Sequence, residues 1–228
     1  MSSNFQTAEQ AKSEHILRMG KDLGTIYDAL WHQIAWVHAK WSEYVVLFGI
    51  KASRVDLLNK AAPSFCRLIE GSLWENVLLH VARLTNPPST GKKENLTVQL
   101  FSNLINEAST RAKVDSLVES ALSASEFARD WRNRHIAHVD LDLSVSDTAK
   151  ALELASRQRV NDALRALAEV VNAVSSHYLD SPKGHWNRTP GNVIDTAWES
   201  VDEWRPIGRN LGHFLLNDIS RCEHKDFT

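Results

Sequence analysis

Apolar residues recur along most of this chain at steps of three and four, the spacing that gathers them on one face of an α-helix. The pattern is clearest from Leu23 onward, through Ile26, Leu30, Ile34, Val37, Trp41, Val45 and Phe48. Gly20 and Gly24 weaken any extension toward the N-terminus, so residues 8–19 are expected as a separate or bent segment, and Gly49 is a plausible stop. Trp31, Trp36 and Trp41 read as packing groups, because aromatic residues at helical spacing serve cores more often than ligand boxes. A second helix is expected from Pro63, whose restricted φ suits a first turn, to a point before Pro87-Pro88. Within it Phe65, Leu68, Ile69, Leu73, Trp74, Val77, Leu78, Val81 and Leu84 occupy nearly every face. Such a helix belongs in the middle of a bundle or at a subunit interface.

Residues 87–94 then read as a loop, before Asn95 or Thr97 caps the next helix. Leu100, Leu104, Ile105, Val114, Leu117, Val118 and Leu122 continue the helical pattern, with an interruption expected near Ser109-Thr110. Ser123 followed by Glu126 has capping-box spacing, which predicts a new helix or a bend there. Asp140, Asp142, Ser144, Ser146 and Asp147 mark a loop. The final bundle helix carries Val160, Leu164, Leu167, Val171, Val174 and Tyr178, and Ser181-Pro182-Lys183-Gly184 ends it. Beyond it, Val193, Ile194, Ala197, Val201 and Trp204 return to helical spacing in a tryptophan-rich tail. No strand alternation, internal repeat or low-complexity tract stands out. The expected class is all-α, with residues 1–180 forming a helical bundle and 181–228 a helical extension packed on the bundle or on a partner.

Composition narrows the possibilities. At 228 residues and 43% hydrophobic content the chain can bury an extensive core. A formal net charge of -2 leaves no general polycationic surface, which argues against indiscriminate binding to long nucleic acid but allows a local basic site. Cys66 and Cys222 lie far apart and make neither a disulfide framework nor a metal knot. Residues 1–14 are polar, with no apolar signal region, and the longest apolar run, residues 44–50, falls well short of the ~20 residues that span a bilayer. A soluble, cytoplasmic protein without membrane association is expected.

Chemistry concentrates in one place, Trp131-Arg132-Asn133-Arg134-His135-Ile136-Ala137-His138. Arginine grips phosphate oxygens with a rigid fork of donors, and histidine exchanges protons near neutral pH. On a continuous helix Glu126, Asp130, Arg134 and His138 would form an i, i+4 ladder, and such surface electrostatics need carry no function. Arg132 and His138 are the alternative pair, but six residues apart they stand about 120° out of line on an ideal helix. They would meet only where the helix loosens or where a second subunit completes the site. A metal reading draws on His135, His138 and Asp140, whose ligand types suit zinc, iron or manganese. Bundles normally gather ligands from several helices, however, and His32, His38, His80 and His177 have no ligand spacing. No metal or cofactor is expected, and no phosphate-cradling glycine loop, nucleophile elbow or paired-cysteine motif points to another enzyme class.

The stretch Arg132-Asn133-Arg134-His135-Ile136-Ala137-His138 resembles the motif of the HEPN superfamily, in which an arginine, often followed by a polar residue, precedes a histidine by a few positions. The wider layout is similar to the abortive-infection, AbiU-like branch: a long first helix, a second helix ending in Ala82-Arg83-Leu84-Thr85, a lysine-containing loop into Asn95-Leu96-Thr97, and Ala137-His138-Val139-Asp140 closing the motif. The resemblance spans roughly residues 5–180. It implies an antiparallel four-helix bundle that forms a homodimer, with two motifs meeting in a cleft, and in many members a metal-independent endoribonuclease. On that reading Arg132 and His138 are catalytic, cutting RNA to a 2′,3′-cyclic phosphate and a 5′-hydroxyl. Asn133, Arg134, His135 and Asp140 are then substrate-contacting candidates, and a toxin or phage-defence role with an antitoxin partner is implied. Some relatives carry a tyrosine two residues after the motif histidine; here that position is Asp140, so control through such a tyrosine is not expected. A non-catalytic module binding a nucleotide, RNA or protein is the alternative.

Overall fold

The computed structural model describes residues 7–137, 140–145 and 150–179. Nine α-helices account for most of them, in the order α1 Ala8–Met19, α2 Lys21–Tyr44, α3 Ala52–Ala61, α4 Pro63–Leu84, α5 Phe101–Leu104, α6 Ala108–Ala124, α7 Glu126–Trp131, α8 Leu141–Val145 and α9 Arg157–Tyr178. Four long rods, α2, α4, the bent pair α6 and α7, and α9, enclose one hydrophobic core, so the chain is an all-α helical bundle. The expected tail at 181–228 lies outside the described residues.

Local chemistry explains the starts and stops. Thr7 and Gln10 make a reciprocal capping box at the head of α1. Gly20 breaks α1 from α2 at a φ of 81°, a conformation that costs glycine little. Gly24 has a different task from the helix-weakening one expected of it. A Cβ there would meet the His15 carbonyl oxygen at 2.6 Å, so its lack of a side chain is what lets α1 lie against α2. Pro63 starts α4, as its fixed φ favours. The heptad-like face of α9 is the clearest core contribution: Val160, Leu164, Leu167, Val171 and Val174 are all at most 1% exposed. Burying side chains of this size contributes about 1.5–3 kcal/mol each before entropy is charged against them.

The structure also departs from the pattern in several places. Trp41 is buried and stacks on Tyr44, whereas Trp36 is 46% exposed beneath the Lys40 ammonium. Periodicity places Trp36 on a helix but cannot say which arc of that helix is covered. The interruption expected near Ser109-Thr110 falls earlier, because the Glu107 carboxylate accepts the Ser109 and Thr110 amides and caps α6 from outside. The bend expected from Ser123 is real, but its hinge is the buried Ser125, and Ser123 remains inside α6. Residues 89–94 are more than a loop: Ser89–Thr90 and Lys93–Glu94, here β1 and β2, pair antiparallel across a short turn. Part of the expected loop after Asp140 is the short helix α8.

Candidate functional site

The end of α4 is held by its neighbours in sequence. The carbonyls that a helix leaves unpaired at its C-terminus need donors from elsewhere, and here residues 95–99 supply them. The Thr97 hydroxyl donates to the Leu84 carbonyl at 2.9 Å, and the Gln99 amide donates to Thr85 and Asn86 at 3.3 and 2.8 Å. The Asn95 side-chain amide donates to the Pro87 carbonyl at 2.8 Å, and its backbone N–H to the Pro88 carbonyl at 2.8 Å. Every carbonyl from Leu84 to Pro88 thus has a partner, and Asn86 is fixed in place.

That placement decides what Arg132 does. The α-helix α7 widens after Trp131 into a π-helical turn, Arg132–Ile136, in which the Ala137 N–H donates to the Arg132 carbonyl at 2.8 Å. Such single π turns are rare and concentrate at functional sites. The Arg132 guanidinium donates through Nη1 to Asn86 Oδ1 at 2.8 Å, and through Nε and Nη2 to Asn133 Oδ1 at 2.9 and 2.6 Å. Both acceptors are neutral amide oxygens. The guanidinium is oriented, yet its charge is left uncancelled.

Arg132, Asn133 and Ala137 line an open pocket of about 670 Å³ together with Gln33, Leu79, His80, Arg83, Leu84, Asn86, Glu94, Asn95 and Leu96. Its volume suits a nucleotide-sized ligand. Arg83 and Arg132 supply its positive charge, and Glu94 is the single carboxylate among the lining residues. Behind the wall the Lys40 ammonium donates to Asn76 Oδ1 at 2.8 Å and lies 3.4 Å from His80 Nε2. Burial, with the nearby Lys40 and Arg83 charges, pushes His80 down to about 4, so the imidazole is neutral at physiological pH. A charged Lys40 facing Nε2 assigns the imidazole proton to Nδ1.

The remaining motif residues go elsewhere. Arg134 lies 3.6 Å from Asp130 and 3.3 Å from Asp140, and its guanidinium also reaches the backbone carbonyls of Lys150 and Ala151. Asp130 in turn accepts the Glu153 N–H at 2.9 Å, and Trp131 Nε1 donates to the Glu153 carbonyl at 2.8 Å. This side of the motif fastens residues 150–153 to the bundle. His135 packs edge-on against Trp131 and lies 3.6 Å from Glu75, with both partners about half exposed. Neither Arg134 nor His135 lines the pocket. His138 lies outside the described residues, as does the Arg132–His138 geometry and any ligand set that includes His138.

The motif alone did not reveal Asn86, His80, Arg83 or Gln33. Asn86, directly before Pro87-Pro88, carried one weak signal: a polar residue at a helix end whose backbone the prolines restrict. Nothing in the spacing of Gln33 or His80 connects them to residue 132.

A widened helix end thus presents an amide-held arginine to a pocket, within an all-α bundle. The family model described as AbiU2, a HEPN family, matches residues 20–197, and the chain belongs to this abortive-infection-related family. No curated protein and no solved structure matches the chain significantly. Among the described residues no helix is long and apolar enough to cross a membrane.

Proposed function

We propose that this protein is a metal-independent endoribonuclease of the HEPN type, acting as a toxin or phage-defence component and working as a homodimer in the cytoplasm. The observation that carries this reading is the Arg132 guanidinium, held by Asn86 and Asn133 without a carboxylate and turned to a nucleotide-sized pocket. A cation fixed in advance, at no cost in reorganisation, is what a developing phosphorane charge requires. In the proposed step the ribose 2′-oxygen attacks phosphorus and its proton passes to a base. The bond to the 5′-oxygen breaks, and that oxygen takes a proton as it leaves. The products are a 2′,3′-cyclic phosphate and a 5′-hydroxyl. His138, by its place in the motif, is assigned the proton transfer.

The test is incubation of the purified protein with total RNA in excess EDTA, followed by analysis of product ends. Cutting that persists in EDTA, leaves cyclic phosphate and disappears in both Arg132→Ala and His138→Ala supports the reading. Cutting that stops in EDTA and returns with one divalent metal overturns it. Binding without cutting would leave a non-catalytic RNA-binding module in its place. An antitoxin partner is proposed with the toxin role: expression should arrest growth, and His138→Ala should relieve the arrest.

A further inference from the structure

Arg83 is not used by the motif chemistry. It stands exposed in the last turn of α4 and lines the same pocket as Arg132. Among the described residues its guanidinium has no hydrogen bond and no ion pair. Carboxylates are not scarce in this chain, with 28 acidic residues against 26 basic ones. Four other arginines, Arg18, Arg134, Arg159 and Arg165, each have a carboxylate within ion-pair distance. Among the described residues the two arginines of the pocket do not, nor do Arg54, Arg67, Arg111, Arg129 and Arg157, but only Arg83 and Arg132 stand together at one pocket.

Position adds to this. His80, Arg83 and Asn86 follow at steps of three along α4 and just past its end, and all three line the pocket. Asn86 is the residue that holds Arg132, so Arg83 is one step back along the same line from the arginine's anchor. Its charge is felt inside the wall, where it helps to depress both Lys40 and His80. Two lining arginines, with the Lys40 ammonium behind the wall and Glu94 as the single lining carboxylate, make a field that favours an anion of more than one charge. The volume exceeds what a single phosphate group fills.

We propose that Arg83 contacts a backbone phosphate of the bound strand other than the one held by Arg132, so that the pocket spans successive phosphates of single-stranded RNA. This rests on the reading of the pocket as an RNA site and adds a specific residue to it. Arg83 is then a binding residue, and its loss should raise KM far more than it lowers kcat.

The experiment measures binding of a short, fluorescently labelled 2′-O-methyl oligoribonucleotide, which cannot be cut by 2′-hydroxyl attack, as a function of salt. Cleavage of the matching unmodified RNA is measured in parallel. Arg83→Gln is expected to weaken binding roughly tenfold, the size of a lost charge-assisted contact. It should also make the logarithmic salt slope shallower by about 0.7, the change for one phosphate contact on a single strand. Arg83→Lys should keep the slope, and Arg165→Gln, which removes a cation paired with Asp162 and outside the pocket, should leave affinity and slope unchanged. An Arg83→Gln protein with wild-type affinity and slope overturns the proposal, as does a wild-type protein that does not bind the probe. If the wild-type protein binds through Arg83 but never cuts, the nuclease reading fails and the Arg83 assignment stands. If it cuts and Arg83→Gln changes neither KM nor slope, the reverse holds.

Discussion

Arg132 and Arg134 are two residues apart in one motif and have opposite surroundings. Arg132 is held by two amides and faces a pocket; Arg134 is held by Asp130, Asp140 and backbone carbonyls and faces the chain's own residues 150–153. An amide oxygen orients a guanidinium without cancelling its charge, whereas a carboxylate does both. The first arrangement leaves electrostatic capacity for a ligand, and the second spends it on the fold. Two identical side chains are thus divided by what their partners leave uncompensated.

The sharpest way to break this contrast is to remove each arginine. Arg132→Ala should lower kcat for RNA cleavage by about 10²–10³-fold, the usual loss for one preorganised charge-stabilising donor, while the thermal midpoint stays near wild type. Arg134→Ala should reverse that profile. Losing two partly buried carboxylate contacts and the hold on residues 150–153 should cost about 2 kcal/mol of stability. That corresponds to a fall of roughly 4–8 °C in the melting temperature of a chain this long, read by calorimetry. If Arg134→Ala melts like wild type but no longer binds RNA, the division between the two arginines is wrong.

A subtler change sharpens the comparison by making Arg132 resemble Arg134. Asn86→Asp or Asn133→Asp replaces a neutral acceptor with a carboxylate of nearly the same shape. Affinity for the 2′-O-methyl oligoribonucleotide should then fall about tenfold with no loss of stability. Equal affinity would show that the amide character of these partners is incidental.

The smallest expected effect concerns protons. His80 is depressed to about 4 against an ordinary value near 6.5 in the unfolded chain, so between those values the unfolded state binds more protons. Stability is therefore fully present above about pH 6.5 and is lost as pH falls toward 4. Burial of His15 and His38 acts in the same direction. His80→Gln should remove part, and only part, of the slope in denaturant titrations across that window. Arg83→Gln should move the His80 imidazole resonance to a higher midpoint in an NMR titration, because one of the depressing charges has gone.

Much of the bundle was legible without coordinates, and the reasons are local. Pro63 announced α4, the stepping from Val160 to Val174 announced α9, and Gly49 marked the end of a helix that closes in a π-helical turn at Val45–Gly49. The motif drew attention to residues 131–138 through side-chain chemistry alone, and the angular offset of Arg132 and His138 called for a loosened helix end, a second subunit, or both. The helix does widen at Arg132, and the place of His138 relative to it lies outside the described residues. What could not be read was burial around each rod: Trp36, Phe65 and Leu68 are apolar like Trp41 and Val77 yet stand exposed.

The sequence by itself determined the helices and the cluster that carries the chemistry, because turn preferences, capping and apolar spacing act over a few residues. Tertiary structure alone decided which arginine of the cluster is available. Asn86 lies 46 positions from Arg132 and is brought to it only when residues 95–99 staple the end of α4 and α7 packs against that helix. Charge compensation is a property of neighbours in space, and those neighbours are set by the packing of the bundle.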